Sequence, residues 1–484
     1  MSKDSLQSDK TVLNLNQLDN LSLRYDLLTG WKPQLGIKNP FPLYFSDPFT
    51  ESLRALSDFV YKGVRHRHSY ELHRAFSVAS GYTVSQESFR MFLEAEVKGL
   101  LFHKSVQPVS KPDRLIFDSF FECGNCDLVR LSTTRADLYD VYLRPDTSTR
   151  GHAQWFYFSV TASAPCRATF QVRNNCKPQA MFTKGSSPYF SKDNYHWQQL
   201  SECQYSETTY PPSEDLRPSN YRRIHTLSFS YNFSPGEKVF FSYCPPYPLS
   251  KLQKTIKHLH QFVHPRLMVK QEQLCLSLSG LGVPILTCTS SSSVMLDIDK
   301  PAFFVIARVH PGETCGSHMM HGFLKEIHSD SEAARSLRDL FCFYIVPMMN
   351  PDGVTVGNFR TDLVGDDMNR QYTKPSPKVH LSVVALRKYV QEVKATRRVV
   401  GLIDLHGHST RPGVFTYGPQ LAPTDPLKEF AQVYPWMVGQ KSSMFRFDKC
   451  TYKIPKAKLS TARAYFLFKK SSTPLRRYQV LLHC

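Results

Sequence analysis

Two short segments far apart in this chain constrain its fold, because their side chains suggest a shared purpose. His310-Pro311-Gly312-Glu313 sets an imidazole and a carboxylate three residues apart, and His406 follows much later in Asp404-Leu405-His406-Gly407-His408. At that spacing an imidazole nitrogen and a carboxylate oxygen can meet on one small ion. A third ligand from a distant strand leaves one coordination position open. Two histidines and a glutamate with an open position form the donor set of a catalytic zinc ion, whereas structural zinc is normally closed by four ligands rich in cysteine. The expected metal ligands are therefore His310, Glu313 and His406, holding one Zn2+ per chain.

Local patterning agrees with that assignment. Phe303-Phe304-Val305-Ile306-Ala307 is apolar and rich in β-formers, so it predicts a strand that delivers His310 at its end. Pro311-Gly312 turns the chain. From Ser317 onward Met320, Phe323, Leu324 and Ile327 recur at helical spacing, which puts Glu313 where a helix begins. Val399 to Ile403 predicts a second strand closed by His406, after a helix around Leu381 to Val393. Strand ends facing a crevice are where open α/β sheets keep their chemistry.

A length of 484 residues, with 41% hydrophobic and 13% aromatic content, allows two or three domains with real cores and excludes wholesale disorder. Residues 1–113 show weak periodicity, with helical hints near Glu51 to Tyr61 and Glu87 to Leu101, and read as a poorly defined extension. Residues 114–248 are β-like: Ala153 to Val160 and Thr226 to Phe233 are aromatic, partly alternating runs, punctuated by turns such as Pro145-Asp146 and Ser234-Pro235-Gly236. They predict an antiparallel β-sandwich. Pro245-Pro246-Tyr247-Pro248 ends that region, and Ser250 is placed to cap a helix through Leu252, Ile256, Leu259 and Val263. Residues 249–484 then alternate strand and helix patterns, the sequence form of an α/β domain.

The 12 cysteines are scattered, unlike a secreted disulfide scaffold. Cys123-Gly124-Asn125-Cys126 is the one CxxC; with no second pair to complete a zinc knuckle, two incidental cysteines in a turn are the favoured reading over a knuckle or a redox pair. A net charge of +19 implies attraction to something acidic: nucleic acid, an anionic membrane surface or an acidic polypeptide. No segment approaches the roughly 18 apolar residues of a membrane span, and the first residues lack the order of a signal peptide, so the expectation is a cytoplasmic protein.

Between the ligand segments lie Asn350-Pro351-Asp352-Gly353 to Arg360 and Asp367-Met368-Asn369-Arg370. Arginine with asparagine can clamp a free carboxylate through directed donors, so Arg360 and Arg370 are candidates for that clamp. Together with Ala307-Arg308-Val309-His310-Pro311-Gly312-Glu313-Thr314, Val346 to Val354, Gly357-Asn358-Phe359-Arg360 and Asp404 to Ser409, these motifs resemble the zinc carboxypeptidases, specifically the cytosolic branch similar to enzymes that trim glutamate or tyrosine from tubulin tails. Tyr142-Leu143-Arg144-Pro145-Asp146 with Gln154 to Phe158 resembles the β-sandwich domain that precedes the catalytic domain there. The resemblance spans roughly residues 115 to 463.

That resemblance implies a zinc-carboxypeptidase-like α/β domain with a mixed sheet. It implies zinc on His310, Glu313 and His406, Asn369 and Arg370 gripping a terminal carboxylate, and Arg360 stabilising the oxyanion. Arg463 would face the last side chain and favour a C-terminal glutamate. The implied partners are acidic protein C-terminal tails, tubulin above all, with no nucleic acid and no membrane span. Association with microtubules, centrioles or cilia goes with them.

One element departs from the family pattern. A general-base glutamate is expected about 15 positions after the specificity arginine, yet no acidic residue follows Asp448, and Gln479 lies near the expected place. The ending reads as truncated, without the domain's last strand and helix. Weak or no turnover is then the expectation, since a lost general base costs on the order of 10² to 10⁴ in rate. Asp366 also stands where a basic residue is expected and would weaken the potential near Arg370. The alternative to an active enzyme is a zinc-containing pseudoenzyme that binds acidic tails without cutting them.

Overall fold

The computed structural model describes residues 100–103 and residues 115–483, apart from 208–224, 262–265, 292–295, 469–477 and scattered single positions or pairs. The helical stretches expected at Glu51 to Tyr61 and from Glu87 to residue 99 lie outside the described residues. Leu100–His103, at the end of the second stretch, is a strand.

The first domain stacks two β-sheets. One sheet orders Leu100–His103, Leu128–Leu131, Leu138–Tyr142, Cys166–Asn175, His225–Phe233 and Gln204–Glu207; the other orders Leu115–Asp118, Tyr157–Ala162, Lys238–Ser242, Tyr189–Ser191 and Gln198–Gln199. Neighbours are antiparallel except for Leu138–Tyr142 against Cys166–Asn175, which run parallel. Alternation drives the packing: within Cys166–Asn175 the residues Ala168, Phe170 and Val172 are buried, as a strand with one face on a core requires. Phe170 sits 5.3 Å from Phe241 and 5.4 Å from Phe229, ring centre to ring centre, so much of the chain's aromatic content forms this core.

The second domain begins with helix α1 (Leu249–Leu259). Ser250 lies inside its first turn and is not its cap. The Ser250 N–H donates instead to Glu122 Oε1 of the first domain at 3.2 Å, so the helix end is satisfied across the domain boundary. Strands β1 (Leu267–Leu276), β2 (Gly282–Ser290) and β3 (Ala302–Ala307) follow, then α2 (Thr314–Ile327), α3 (Glu332–Leu340), β4 (Cys342–Val346), α4 (Pro351–Val356), α5 (Leu381–Thr396), β5 (Val399–His406), β6 (Phe415–Tyr417), α6 (Phe430–Lys441), α7 (Ala462–Phe468) and β7 (Tyr478–His483). The sheet order is β1-β2-β4-β3-β5-β7-β6. Strands β4, β3, β5 and β7 are parallel and the outer pairings antiparallel, which makes the sheet mixed.

Strand β3 is buried on both faces, which explains its continuous apolar run. Phe304 and Ile306 pack with Val383, Leu386 and Val390 of α5, while Val305 and Ala307 pack with Met320, Leu324 and Ile327 of α2. That second cluster also takes in Cys123, Trp155 and Tyr157, so the two domains share one apolar core. From β3 the chain passes to β4 on one side and later returns to β5 on the other. The crevice at that switch point opens between the ends of β3 and β5.

The tail departs from expectation. Tyr478–His483, in a stretch expected to lack the domain's last strand, enters the sheet between β5 and β6. Its register sets Gln479 beside Leu402, well below the strand end, and it is His483 that comes level with His406. Cys123 and Cys126 are both buried, with Cys123 at φ +65°. Among the described residues no helix is long and apolar enough to cross a membrane.

Candidate metal centre

Strand β3 ends at Ala307, and Arg308 turns the chain with φ +58°, a left-handed conformation uncommon for a side-chain-bearing residue. Its guanidinium holds that conformation, donating to Pro311 O at 2.9 and 2.6 Å, to Tyr247 O at 2.8 Å and to Ser317 Oγ at 2.8 Å. Two close backbone approaches complete the turn. A Cβ on Gly312 would lie 2.4 Å from the Phe359 ring, and one on Gly316 would lie 2.7 Å from Leu405 O. Glycine at 316 therefore lets α2 sit directly on β5, which carries Glu313 over to His406.

The three side chains expected to bind metal come together. Glu313 Oε1 lies 2.8 Å from His310 Nδ1, Glu313 Oε2 lies 2.9 Å from His406 Nδ1, and the two Nδ1 atoms are 3.2 Å apart. Donors held about 2.1 Å from a tetrahedral ion stand about 3.4 Å from one another, so a shift of a few tenths of an ångström would open this triangle to fit zinc. The outer nitrogens are fixed as well. His310 Nε2 is 3.0 Å from Asp367 Oδ1, and His406 Nε2 is 2.8 Å from Asp404 Oδ2. Carboxylates on the far nitrogen of a ligating imidazole set its tautomer and raise its basicity. Among the described residues these three form the one group of His, Cys, Asp and Glu whose ligand atoms converge in this way.

The electrostatics favour a cation at the centre. Burial opposes charge on His406, yet Asp404 and Glu313 outweigh it and hold the imidazole up at about 10. Burial would likewise raise Glu313, but His310 and His406 keep its carboxylate well below the usual range. A proton satisfies this demand in the bare protein, and a divalent ion would satisfy it in the proton's place.

Around the triangle opens a cleft of ≈ 1190 Å³, above the roughly 300–1,000 Å³ of small-molecule sites. Arg360, Asn369, Arg370 and Arg463 all line it. Arg360 donates to Asp367 Oδ2 at 2.9 and 2.6 Å, and Arg370 lies 3.8 Å from the same oxygen. Asn369 turns inward: its Oδ1 accepts from the Ala462 N–H at 3.1 Å and its Nδ2 is 3.2 Å from His406 Nε2. Arg463 donates to Gly418 O at 3.3 Å and Lys453 O at 3.4 Å with its guanidinium 5.3 Å from the Tyr417 ring centre, and burial pushes it down to about 10. Among the described residues Glu313 is the one carboxylate residue that lines the cleft. Asp366 does not act on Arg370 as expected, because its Oδ2 turns to His380 Nε2 at 2.9 Å.

Sequence reasoning assigned no role to Asp146, Asp367 or Asp404. The two acids nearest the ligands had a signal, since each precedes a site residue by two positions. Asp146 had none: it belongs to the first domain and accepts the N–H groups of Phe359 at 2.6 Å, Arg360 at 2.6 Å and Thr361 at 2.9 Å, fixing the loop that carries Arg360.

Comparison with known proteins adds to this geometry. Residues 264–465 match the zinc carboxypeptidase family model, and residues 117–221 match that of the cytosolic carboxypeptidase N-terminal domain. The chain is 33% identical over 371 residues to cytosolic carboxypeptidase 3 of Mus musculus, covering 74% of this chain and 36% of that protein. It is 34% identical to cytosolic carboxypeptidase 2 of Xenopus tropicalis, covering 75% and 38%. Against cytosolic carboxypeptidase 6 of Caenorhabditis elegans it is 30% identical, covering 73% of this chain and 77% of that protein. It thus spans well under half the length of the first two relatives. Among solved structures, a metallo-carboxypeptidase from Burkholderia cenocepacia superposes with TM-score 0.61 at 22% identity, over 76% of this chain and 89% of that one. One from Pseudomonas aeruginosa, in complex with (2-guanidinoethylmercapto)succinic acid, gives 0.60 at 22%, over 76% and 89%. At such identity the likeness is one of fold.

Proposed function

Because the chain belongs to the zinc carboxypeptidase family, in its cytosolic branch, we propose that it binds one zinc ion through His310, Glu313 and His406 and acts on the C-terminal ends of acidic protein tails, removing glutamate. The carrying observation is the triangle of donors, with each imidazole backed by its own carboxylate. Zinc in such a site supplies a Lewis acid and lowers the pKa of water toward neutrality.

The chain's own residues handle the substrate. Arg370 and Asn369 receive the terminal carboxylate, and Arg463, without a carboxylate partner among the described residues, receives a final acidic side chain. Arg360 stands beside the donors where negative charge develops on the scissile carbonyl. Residues 249–484 form the catalytic domain, and residues 114–248 anchor its substrate loop. Tubulin tails fit the chemistry as densely acidic chain ends, tyrosine being the other terminal residue trimmed by the enzymes this branch resembles, and the relatives' names support a cytosolic protein. Microtubules, centrioles and cilia are the corresponding sites of action.

A second reading is favoured by one observation: among the described residues no carboxylate other than that of Glu313 lines the cleft to accept a proton from the attacking water. Under it the chain holds zinc and binds acidic tails without cutting them. The test combines metal analysis of the purified protein with mass spectrometry of a polyglutamylated peptide after incubation. About one zinc per chain, lost in His310→Ala, is expected; a chain that takes up no metal overturns both readings. Released glutamate selects the enzyme, and intact peptide selects the binding protein.

A further inference from the structure

A positive charge from the first domain reaches into the cleft. Lys177 follows the strand Cys166–Asn175, its carbonyl accepts from the Tyr205 hydroxyl, and the preceding Cys176 N–H bonds Ala153 O at 3.0 Å, so its backbone is fixed. The side chain is half-buried and lines the same cleft as Glu313, Arg360 and His408. Among the described residues no carboxylate forms an ion pair with its ammonium group. Burial pushes Lys177 down and Arg360 adds to this, while Glu313 and Asp367 act from a distance in the other direction. Both of those acids are already engaged, Glu313 by two imidazoles and Asp367 by His310 and Arg360. The protein leaves this charge for something else to answer.

Position suggests what that is. Lys177 enters the cleft from the first domain, whereas Arg370, Lys458 and Arg463 line it from the second. The cleft therefore takes cations from both domains, Lys177 from the first and Arg370, Lys458 and Arg463 from the second. A chain end seated with its last residue against Arg370 and Arg463 puts its scissile bond at the donor triangle, and the preceding residue continues towards the first domain. Resting on the function proposed above, we propose that Lys177 is a substrate-binding residue that pairs with the side-chain carboxylate of the residue preceding the scissile bond, so that the site reads two consecutive acidic residues. A flexible ammonium suits this place, since it accepts a carboxylate from many directions.

The test is a binding measurement on the zinc-loaded full chain, by isothermal titration with two peptides that end in Glu-Glu and Gln-Glu. Wild type is expected to prefer the Glu-Glu peptide about tenfold, the scale of one partly buried charged hydrogen bond. Lys177→Met should lose that preference and bind both peptides at the Gln-Glu level, while Lys177→Arg should keep it. Equal affinity of wild type for the two peptides overturns the assignment. So does a Lys177→Met protein that still prefers Glu-Glu, or one that loses zinc and weakens on both peptides alike, which marks a structural role. If zinc-loaded wild type binds neither peptide, tail recognition itself fails and this inference falls with it.

Discussion

Asp146→Ala should detach the loop that carries Arg360 from the domain that holds it. In the intact protein the carboxylate accepts three backbone N–H groups, from Phe359, Arg360 and Thr361, together with the Thr361 hydroxyl at 3.3 Å. Alanine would strand those N–H groups in a buried place, and each such group costs about 1–3 kcal/mol. Part is returned, because burial pushes the Asp146 carboxyl up, a sign that holding the anion there is itself unfavourable. The net loss should be about 3–5 kcal/mol, or about 10 °C in Tm for domains of this size. Asp146→Asn keeps one acceptor oxygen and should fall between alanine and wild type. Guanidinium denaturation followed by fluorescence reads the loss, since Trp155 sits at the domain boundary with its Nε1 donating to Cys123 O at 2.7 Å. Hydrogen exchange should show the amides of residues 359–361 opening first. An alanine variant within about 0.5 kcal/mol of wild type, the range of a neutral surface change, would refute the reasoning if those amides stayed protected. The loop would then be held by the remaining bridges, from Thr147 to Asn358, Arg144 to Val356 and Asn125 to Gly357.

Two further substitutions test the site and its support. Asp404→Asn leaves His406 in place but removes the anion on its outer nitrogen, and zinc affinity measured against a chelating dye should fall about 10–100-fold; unchanged affinity would show that Asp404 does not tune the ligand. Asp362 is pushed up to about 7, first by burial, with Asp366 adding to it, from an ordinary value of 3.8. Its Oδ1 accepts from the Val364 and Asp366 N–H groups, and its Oδ2 is without a hydrogen-bond partner, the place for a proton. A raised carboxyl pKa means the folded state holds a proton the unfolded chain has lost, so its stabilising contribution is complete below 3.8 and lost as pH rises to about 7. Asp362→Asn should remove that decline, which amounts to about 1 kcal/mol per pH unit. Urea denaturation from pH 4.5 to 8 with the same slope in both proteins would contradict it.

What could be read from the residues in advance follows a physical division. His310 and Glu313 were legible because a spacing of three, a Pro-Gly turn and a flanking strand and helix pattern fix their relation locally. Strand β3 was legible because burial on both faces leaves a run with no polar residue. Roles set by a distant partner were not legible. Ser250 has the chemistry of a helix cap, but Glu122 from another domain accepts the N–H group of that first turn, and no local pattern announces it. Asp366 looked like a charge beside Arg370, yet His380 on the approach to α5 draws it away. Counting along the chain from Arg463 placed Gln479 near the donors, whereas parallel pairing with β5 fixes height by register and lifts His483 to the level of His406. The same reasoning explains the first domain's role. Its fold was visible in alternating aromatic residues, but Asp146 and Lys177 act only because a core shared by Trp155, Tyr157, Leu252 and Met320 presses the two domains together. A second domain cut away from its β-sandwich would keep His310, Glu313 and His406 and lose both the anchor of its Arg360 loop and one of the cations in its cleft.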